Sequence, residues 1–374
     1  MGKEGIPIPW LLKFRKFQLK GYRLHFFAAY FLKESPRIED VYLFNRNFVE
    51  LKKLKKEEKL TKIDFIFYSL KRNLVAIKKV KIVLKKKFDI IYSPSSVLDL
   101  TLFPFLLKIL KLKIKWVAVF DNIVPLTDPG NKLVRFLAWL FFQISLLLLR
   151  KADCIFVISK DLKDYLLNRG FDKNKIILTG NAVEVDLIKK AKPDPKYKID
   201  ALFVGRINET KGIYDMLDVL EIIKERYPNF QLAIMGRGDI NTERKYKEEI
   251  KKRRLEKNVK FLGFKTGLEK FNIIKSSKIF LFLSKSESFG IALLEAVCCG
   301  IKAFAYDLPA YRNIYKNNEV LIFKKNDFRS VAKAILETFD KQDFGNPAGV
   351  KLLNKYSWDK IAEIELNSFR KLVI

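Results

Sequence analysis

Runs of consecutive apolar residues recur along the chain, and stretches with helical spacing separate them. Residues 63–68 (IDFIFY), 88–92 (FDIIY), 115–120 (KWVAVF) and 154–158 (CIFVI) are β-branched or aromatic and predict strands in the first half, with 176–178 as a further short one. The second half repeats the theme at 201–204 (ALFV), 231–235 (QLAIM), 259–262 (VKFL), 279–283 (IFLFL) and 302–306 (KAFAY). Amphipathic stretches such as 212–226 and 289–299 lie between them and predict helices. Strands that are apolar on both faces and alternate with helices form parallel sheets covered on both sides. The predicted fold class is therefore α/β, in two doubly wound halves. Residues 191–198 (AKPDPKYK) carry two prolines, several charges and no apolar period, and are expected to link the halves. Open α/β sheets bind ligands beyond the carboxyl ends of their strands, so the site is expected there.

The length, 374 residues, also favours two domains over one. A net charge of +31 attracts polyanions, whether nucleic acid, anionic lipid headgroups or phosphorylated substrates. Lysines concentrate at 51–59 (LKKLKKEEK) and at Lys78, Lys79, Lys81, Lys85, Lys86 and Lys87. A solvated lysine-rich surface and a basic face resting on an acidic membrane both account for them. Nucleic acid is not an expected partner, because no zinc-finger spacing or RNP-like aromatic string is present.

Cys154, Cys298 and Cys299 form neither a disulfide framework nor a metal-ligand spacing, and the single histidine, His25, rules out a multi-histidine metal site. Residues 1–10 lack the apolar core of a signal peptide, so a reducing, cytoplasmic location is expected. The run 136–149 (FLAWLFFQISLLLL) holds 14 uncharged residues between Arg135 and Arg150. That is short of the roughly 20 that span a bilayer. It reads as a buried helix, or as one whose outer side dips into the lipid interface.

Candidate chemistry gathers in the second half. Residues 201–212 (ALFVGRINETKG) run from a strand into a glycine-punctuated loop, and a helix follows near Ile213. Gly205 lets the chain leave the strand tightly, and Gly212 precedes the helix. Arg206 and Lys211 put two cations beside a helix start, which suits a diphosphate, although a surface loop with ordinary charges has the same composition. A second strand ends in Gly236, Arg237 and Gly238, where missing side chains permit close approach of a ligand.

Residues 286–296 (SESFGIALLEA) place Glu287 and Glu295 with seven residues between them. With a helix starting near Phe289 and Gly290, Glu287 stands at its mouth and Glu295 further in. Each carboxylate can accept hydrogen bonds from vicinal hydroxyls, one pair on a sugar and one on a ribose. The backbone amides around Ser288 and Gly290 lie at the positive helix end. The competing structural reading makes Glu287 a capping acid and Glu295 an exposed helix residue. For Glu295 that is awkward among Leu293, Leu294, Ala296 and Val297.

Taken in order, VGRINETKG, MGRGD, VKFLGF and SESFGIALLEAVCCG resemble the carboxyl-terminal donor domain of GT-B retaining glycosyltransferases of the large family-4 type, whose E-x7-E signature falls on Glu287 and Glu295. The resemblance is specific over 198–374 and only topological before it. It implies two Rossmann-like domains facing a central cleft: 1–190 on the acceptor side and 198–355 binding the nucleotide sugar. Residues 356–374, opening with Tyr356, Ser357 and Trp358, resemble the crossover helix that packs back on the N-terminal domain. The implied activity is retaining, hexosyltransferase-like transfer from a UDP- or GDP-sugar to an acceptor hydroxyl, without a metal or other cofactor.

By the same resemblance, Arg206 and Lys211 hold the diphosphate, and Glu295 holds the ribose. Glu287, with Ser288, Phe289, Gly290 and Ile291, holds the sugar. Gly205, Gly236, Arg237 and Gly238 complete the donor pocket. Many relatives carry a His-Asp pair in the N-terminal domain; here Phe120 takes the histidine's place and Asp121 is kept as a fourth catalytic candidate beside Glu287, Lys211 and Arg206. The family's N-terminal Gly-Gly turn is missing, and Ile301 or Lys302 replaces its usual proline after Gly300.

The basic, aromatic first half points to a glycan or lipid-linked acceptor of the cell envelope, with the protein peripheral at the inner membrane face. Two readings compete with the enzyme: a catalytically silent GT-B protein that binds nucleotide sugars as a scaffold, and a basic nucleic-acid-associated α/β protein.

Overall fold

The computed structural model describes residues 26–28, 41–43, 90–110, 113–126 and 132–373. The strand expected at 63–68, the lysine clusters at 51–59 and 78–87, His25 and the first ten residues lie outside them. The chain divides into two compact units, residues 1–180 with 358–374, and residues 181–357.

In the first unit β1 (Phe26–Ala28) pairs in parallel with β2 (Val41–Leu43). A four-stranded parallel sheet follows in the order β3 (Ile90–Ser93), β4 (Lys115–Phe120), β5 (Cys154–Val157), β6 (Ile176–Leu178). Successive strand residues face opposite sides of a sheet, and both sides here are apolar. Ile91, Trp116, Ala118, Phe120, Ile155 and Val157 pack with α1 (Leu98–Ile109), α2 (Lys132–Leu149) and α3 (Lys160–Leu167). Ile90, Tyr92, Val117, Val119, Cys154 and Phe156 turn the other way.

That second face is covered by the last helix, α11 (Trp358–Val373), through Ala362, Leu366 and Phe369. The fully buried Tyr92 hydroxyl donates to Glu365 at 3.1 Å, which gives that buried acid of the helix a partner. The expectation that the C-terminal helix packs back on the N-terminal domain is met.

The helix expected over 136–149 is longer than its uncharged run. It starts at Lys132 and takes in Arg135, reaching 18 residues. By length and composition alone it could cross a membrane. Only Phe142, Ser145, Leu146 and Leu149 are built into the core, while Leu133, Phe136 and Leu147 are exposed.

In the second unit all six strands are parallel, in the order β12 (Leu321–Phe323), β11 (Lys302–Tyr306), β10 (Ser277–Phe282), β7 (Ile199–Val204), β8 (Leu232–Met235), β9 (Val259–Gly263). The chain winds outward from β7 to β9, then returns to β10 and winds outward to β12. The reversal leaves a crevice beyond the carboxyl ends of β7 and β10, the switch point where doubly wound sheets bind ligands. The helices of this unit are α4 (Val185–Lys190), α5 (Ile213–Arg226), α6 (Ile240–Lys252), α7 (Gly267–Lys275), α8 (Ile291–Cys298), α9 (Phe328–Asp340) and the single-turn α10 (Pro347–Val350).

The expected bounds of β4, β6 and β11 coincide with those observed. The sequence pattern does not predict β1, β2 and β12, although the equally short β6 is marked by its paired β-branched Ile176 and Ile177. The helix expected over 289–299 begins only at Ile291, because Gly290 caps it with φ +82°. Residues 191–198 are tied inside the second unit: the Lys192 amide donates to Asn272 at 3.0 Å, and the Asp194 amide to Ser276 Oγ at 2.7 Å. The division of the chain falls earlier, after Gly180.

Candidate functional site

The loop after β7 and the loop after β10 meet across the switch point. Asn208 caps a single turn at Glu209–Lys211 by accepting from the Lys211 amide at 3.1 Å. The Thr210 carbonyl of that turn then accepts from the Lys285 amide at 2.8 Å and from Ser284 Oγ at 3.2 Å. Gly212 follows with φ +69°, and a Cβ there would stand 1.9 Å from the Leu283 carbonyl oxygen. Only glycine permits this approach of the two loops.

The same stapling places Lys211 beside Glu287. Its ammonium ion-pairs with Glu287 Oε1, and both side chains are largely shielded from water. Glu287 lies four residues before α8, whose first-turn amides follow the Gly290 cap. Glu295, in the second turn of α8, is 7 % exposed and is met by Lys270 from α7 at 2.5 Å. Each glutamate therefore stands with a lysine from another element. A buried carboxylate needs such a partner to stay ionised.

Beyond β8 the third loop joins the first two. The Ile207 amide donates to the Arg237 carbonyl at 3.1 Å, and the Gly238 amide to Glu243 at 2.6 Å. A Cβ on Gly236 would lie 1.8 Å from the Gly205 carbonyl oxygen, and one on Gly238 2.5 Å from that of Ile207. Arg206 and Arg237 are exposed and make no ion pair among the described residues. The arrangement offers two free cations, two paired cations and two carboxylates along one sheet edge. That set suits a ligand carrying both a polyanion and hydroxyl groups.

Sequence reasoning missed several members of this cluster. Lys270 sits among the apolar Phe271, Ile273 and Ile274, and nothing local ties it to a glutamate 25 positions on. Glu184 is partly buried nearby: burial raises its carboxyl above the ordinary 4.5, Lys270 opposes this, and Glu295 adds to it. Asp215 in the first turn of α5 is buried, ion-paired with Lys285 at 2.7 Å and hydrogen-bonded by Tyr306 at 2.8 Å. These are long-range pairings between chemically ordinary residues.

In the first unit Asp121 follows directly on β4 and accepts from Ser95 Oγ at 2.9 Å and from the Ser96 amide at 3.4 Å. Burial raises its carboxyl above the usual range despite those bonds. Phe120 is fully buried and stacks on Phe142 and Tyr165, so its ring is a core element. Among the described residues no three His, Cys, Asp or Glu side chains are grouped to hold a metal ion.

Two family models match, one per half: "Glycosyltransferase Family 4" over residues 19–187 and "Glycosyl transferases group 1" over 184–349. Among curated proteins the chain is 30 % identical over 195 residues to the phosphatidyl-myo-inositol mannosyltransferase of Mycobacterium tuberculosis, covering 49 % of this chain and 50 % of that protein. The chain thus spans about half the length of this curated relative. A glycosyltransferase from Rickettsia africae superposes with a TM-score of 0.71 at 17 % identity, covering 100 % of this chain and 96 % of the other. The Anabaena protein HepE, solved with UDP and glucose, gives a TM-score of 0.67 at 14 % identity over 89 % and 87 % of the chains. At these identities the structural likeness shows the fold, two Rossmann-like parallel-sheet domains.

Proposed function

Since the chain belongs to the GT-B glycosyltransferases of the family-4 type, we propose that it transfers a sugar from a nucleoside-diphosphate sugar to an acceptor hydroxyl with retention of anomeric configuration. The observation that carries this reading is the pairing of Lys211 with Glu287 at the switch point, with Lys270–Glu295 beside it. The diphosphate lies against Lys211 and Arg206, and their charge stabilises it as it leaves. Glu295 accepts from the ribose hydroxyls, and Glu287 from those of the sugar. The bond between the sugar's anomeric carbon and the diphosphate breaks as a new bond to the acceptor oxygen forms on the same face. The acceptor's proton passes to the departing phosphate oxygen, so no protein nucleophile is required.

The donor is a UDP- or GDP-sugar. The UDP and glucose named for HepE and the mannosyl transfer named for the mycobacterial relative support these two classes. The relative's phosphatidylinositol acceptor supports a lipid-linked one here. The exposed Leu133, Phe136 and Leu147 of α2 and the +31 net charge support a protein that rests on the inner face of an anionic membrane. The core-built Phe142, Ser145, Leu146 and Leu149 of α2 support a helix that lies on the bilayer and does not cross it.

The test is release of nucleoside diphosphate from a panel of UDP-, GDP- and ADP-sugars by wild type, Glu295→Ala and Lys211→Ala. One donor consumed by wild type and spared by both variants supports the reading. Donor bound and never consumed, with a range of lipid acceptors supplied, would replace the enzyme by a silent nucleotide-sugar-binding protein. An inverted anomeric configuration in the product would end the claim of retention.

A further inference from the structure

Three phenol hydroxyls are buried without a hydrogen-bond partner among the described residues: those of Tyr246, Tyr311 and Tyr315. Tyr246, on α6, packs between Tyr214 and Phe261. The other two lie together, their rings edge to face at 5.8 Å. Tyr311 ends the short turn Pro309–Tyr311 after β11 and is 2 % exposed.

Tyr311 stands against the start of α8. A Cβ on Gly290 would meet its Cε1 at 2.7 Å and its hydroxyl oxygen at 3.3 Å. The phenol therefore occupies the space that a side chain at the helix cap would fill. Phenylalanine would fill it equally well, without the desolvation cost of an unpaired hydroxyl. The hydroxyl is thus kept at the expense of folding stability. Burial, then the charge of Glu287, then Tyr315 hold the phenol in its protonated form, so it is a donor awaiting an acceptor.

We propose that Tyr311 is a positioning residue for Glu287: its hydroxyl donates to the Glu287 carboxylate once a bound nucleotide sugar draws Lys211 to the diphosphate. Lys211 holds one Glu287 oxygen. When the ammonium turns to the phosphates, that carboxylate loses its partner at the moment it must face the sugar. A phenol rigidly packed beside the helix cap supplies a replacement to which the freed carboxylate turns. The inference rests on the glycosyltransferase reading of the same site.

The experiment compares Tyr311→Phe with wild type and with Tyr246→Phe, which removes an equally orphaned hydroxyl elsewhere. Melting temperature, nucleoside-diphosphate affinity, and kcat and KM for the accepted donor are measured for each. Tyr311→Phe is expected to melt at or above the wild-type temperature and to bind the nucleoside diphosphate as wild type does. Its kcat/KM for the sugar donor is expected to fall roughly tenfold or more, with Tyr246→Phe unchanged. Wild-type kcat/KM in a folded Tyr311→Phe overturns this proposal and leaves the enzyme reading standing. No donor consumed or bound by wild type overturns the enzyme reading, and this proposal with it.

Discussion

Gly236 stands so close to Gly205 that a Cβ on the former would lie 1.8 Å from the carbonyl oxygen of the latter. The loops ending β7 and β8 thus touch backbone to backbone, and the Gly205 amide donates to the Met235 carbonyl at 3.1 Å in the same contact. Gly236→Ala must push one loop away. We expect a loss of about 1–3 kcal/mol in folding stability, together with weaker nucleoside-diphosphate binding, because Arg206 and Arg237 ride on these loops. Denaturant unfolding and calorimetric titration measure the two effects, and an alanine variant that behaves as wild type in both would refute the contact's role.

The Lys270–Glu295 pair predicts a non-additive cycle. Glu295 is 7 % exposed, so removing its cation strands a buried charge. Lys270→Met is expected to cost about 3 kcal/mol, and Glu295→Gln added to it to recover most of that. Urea midpoints of the four proteins settle this. Additive losses would mean that the lysine and glutamate act independently.

Glu184 makes stability depend on pH with a defined sign. Its folded carboxyl titrates above 4.5 because burial raises it, with Lys270 opposing and Glu295 adding. Between the unfolded and folded values the folded protein therefore holds a proton that the unfolded chain has released. This contribution is fully present below the unfolded value and is lost as pH rises through the folded one. Glu184→Gln should accordingly exceed wild type in stability at about pH 8 and lose that advantage near pH 4. A constant difference across the range would assign the effect to packing instead.

The proposed membrane contact predicts that changing the outer side of α2 lowers vesicle binding separately from stability. Leu133 and Leu147 are 62 % and 65 % exposed, so changing both to Glu should alter stability by about 0.5 kcal/mol or less. Burying each leucine in lipid is worth enough to change partitioning about tenfold. Co-sedimentation with anionic vesicles should therefore fall roughly a hundredfold. Unchanged sedimentation would remove α2 from the proposed membrane contact.

Much of this protein follows from local pattern. Continuous apolar runs mark β4 and β11, each entered through a lysine, because parallel strands buried on both faces carry no polar alternation inside the run. Glycines mark close approaches, as Gly212 does against the Leu283 backbone and Gly290 against the Tyr311 ring, both at positive φ. The spacing of Glu287 and Glu295 on either side of a helix start is likewise a sequence property.

Tertiary structure alone decided which charges meet. Nothing in the chain announces that Lys211 would reach Glu287, 76 positions away, or that Tyr306 would serve Asp215, 91 positions away. Those meetings are set by the order in which six strands stack, and strand order is a property of the whole sheet. The orphaned Tyr311 hydroxyl is of the same kind. A tyrosine in a sequence carries a donor, and only the packing around it determines whether that donor finds an acceptor.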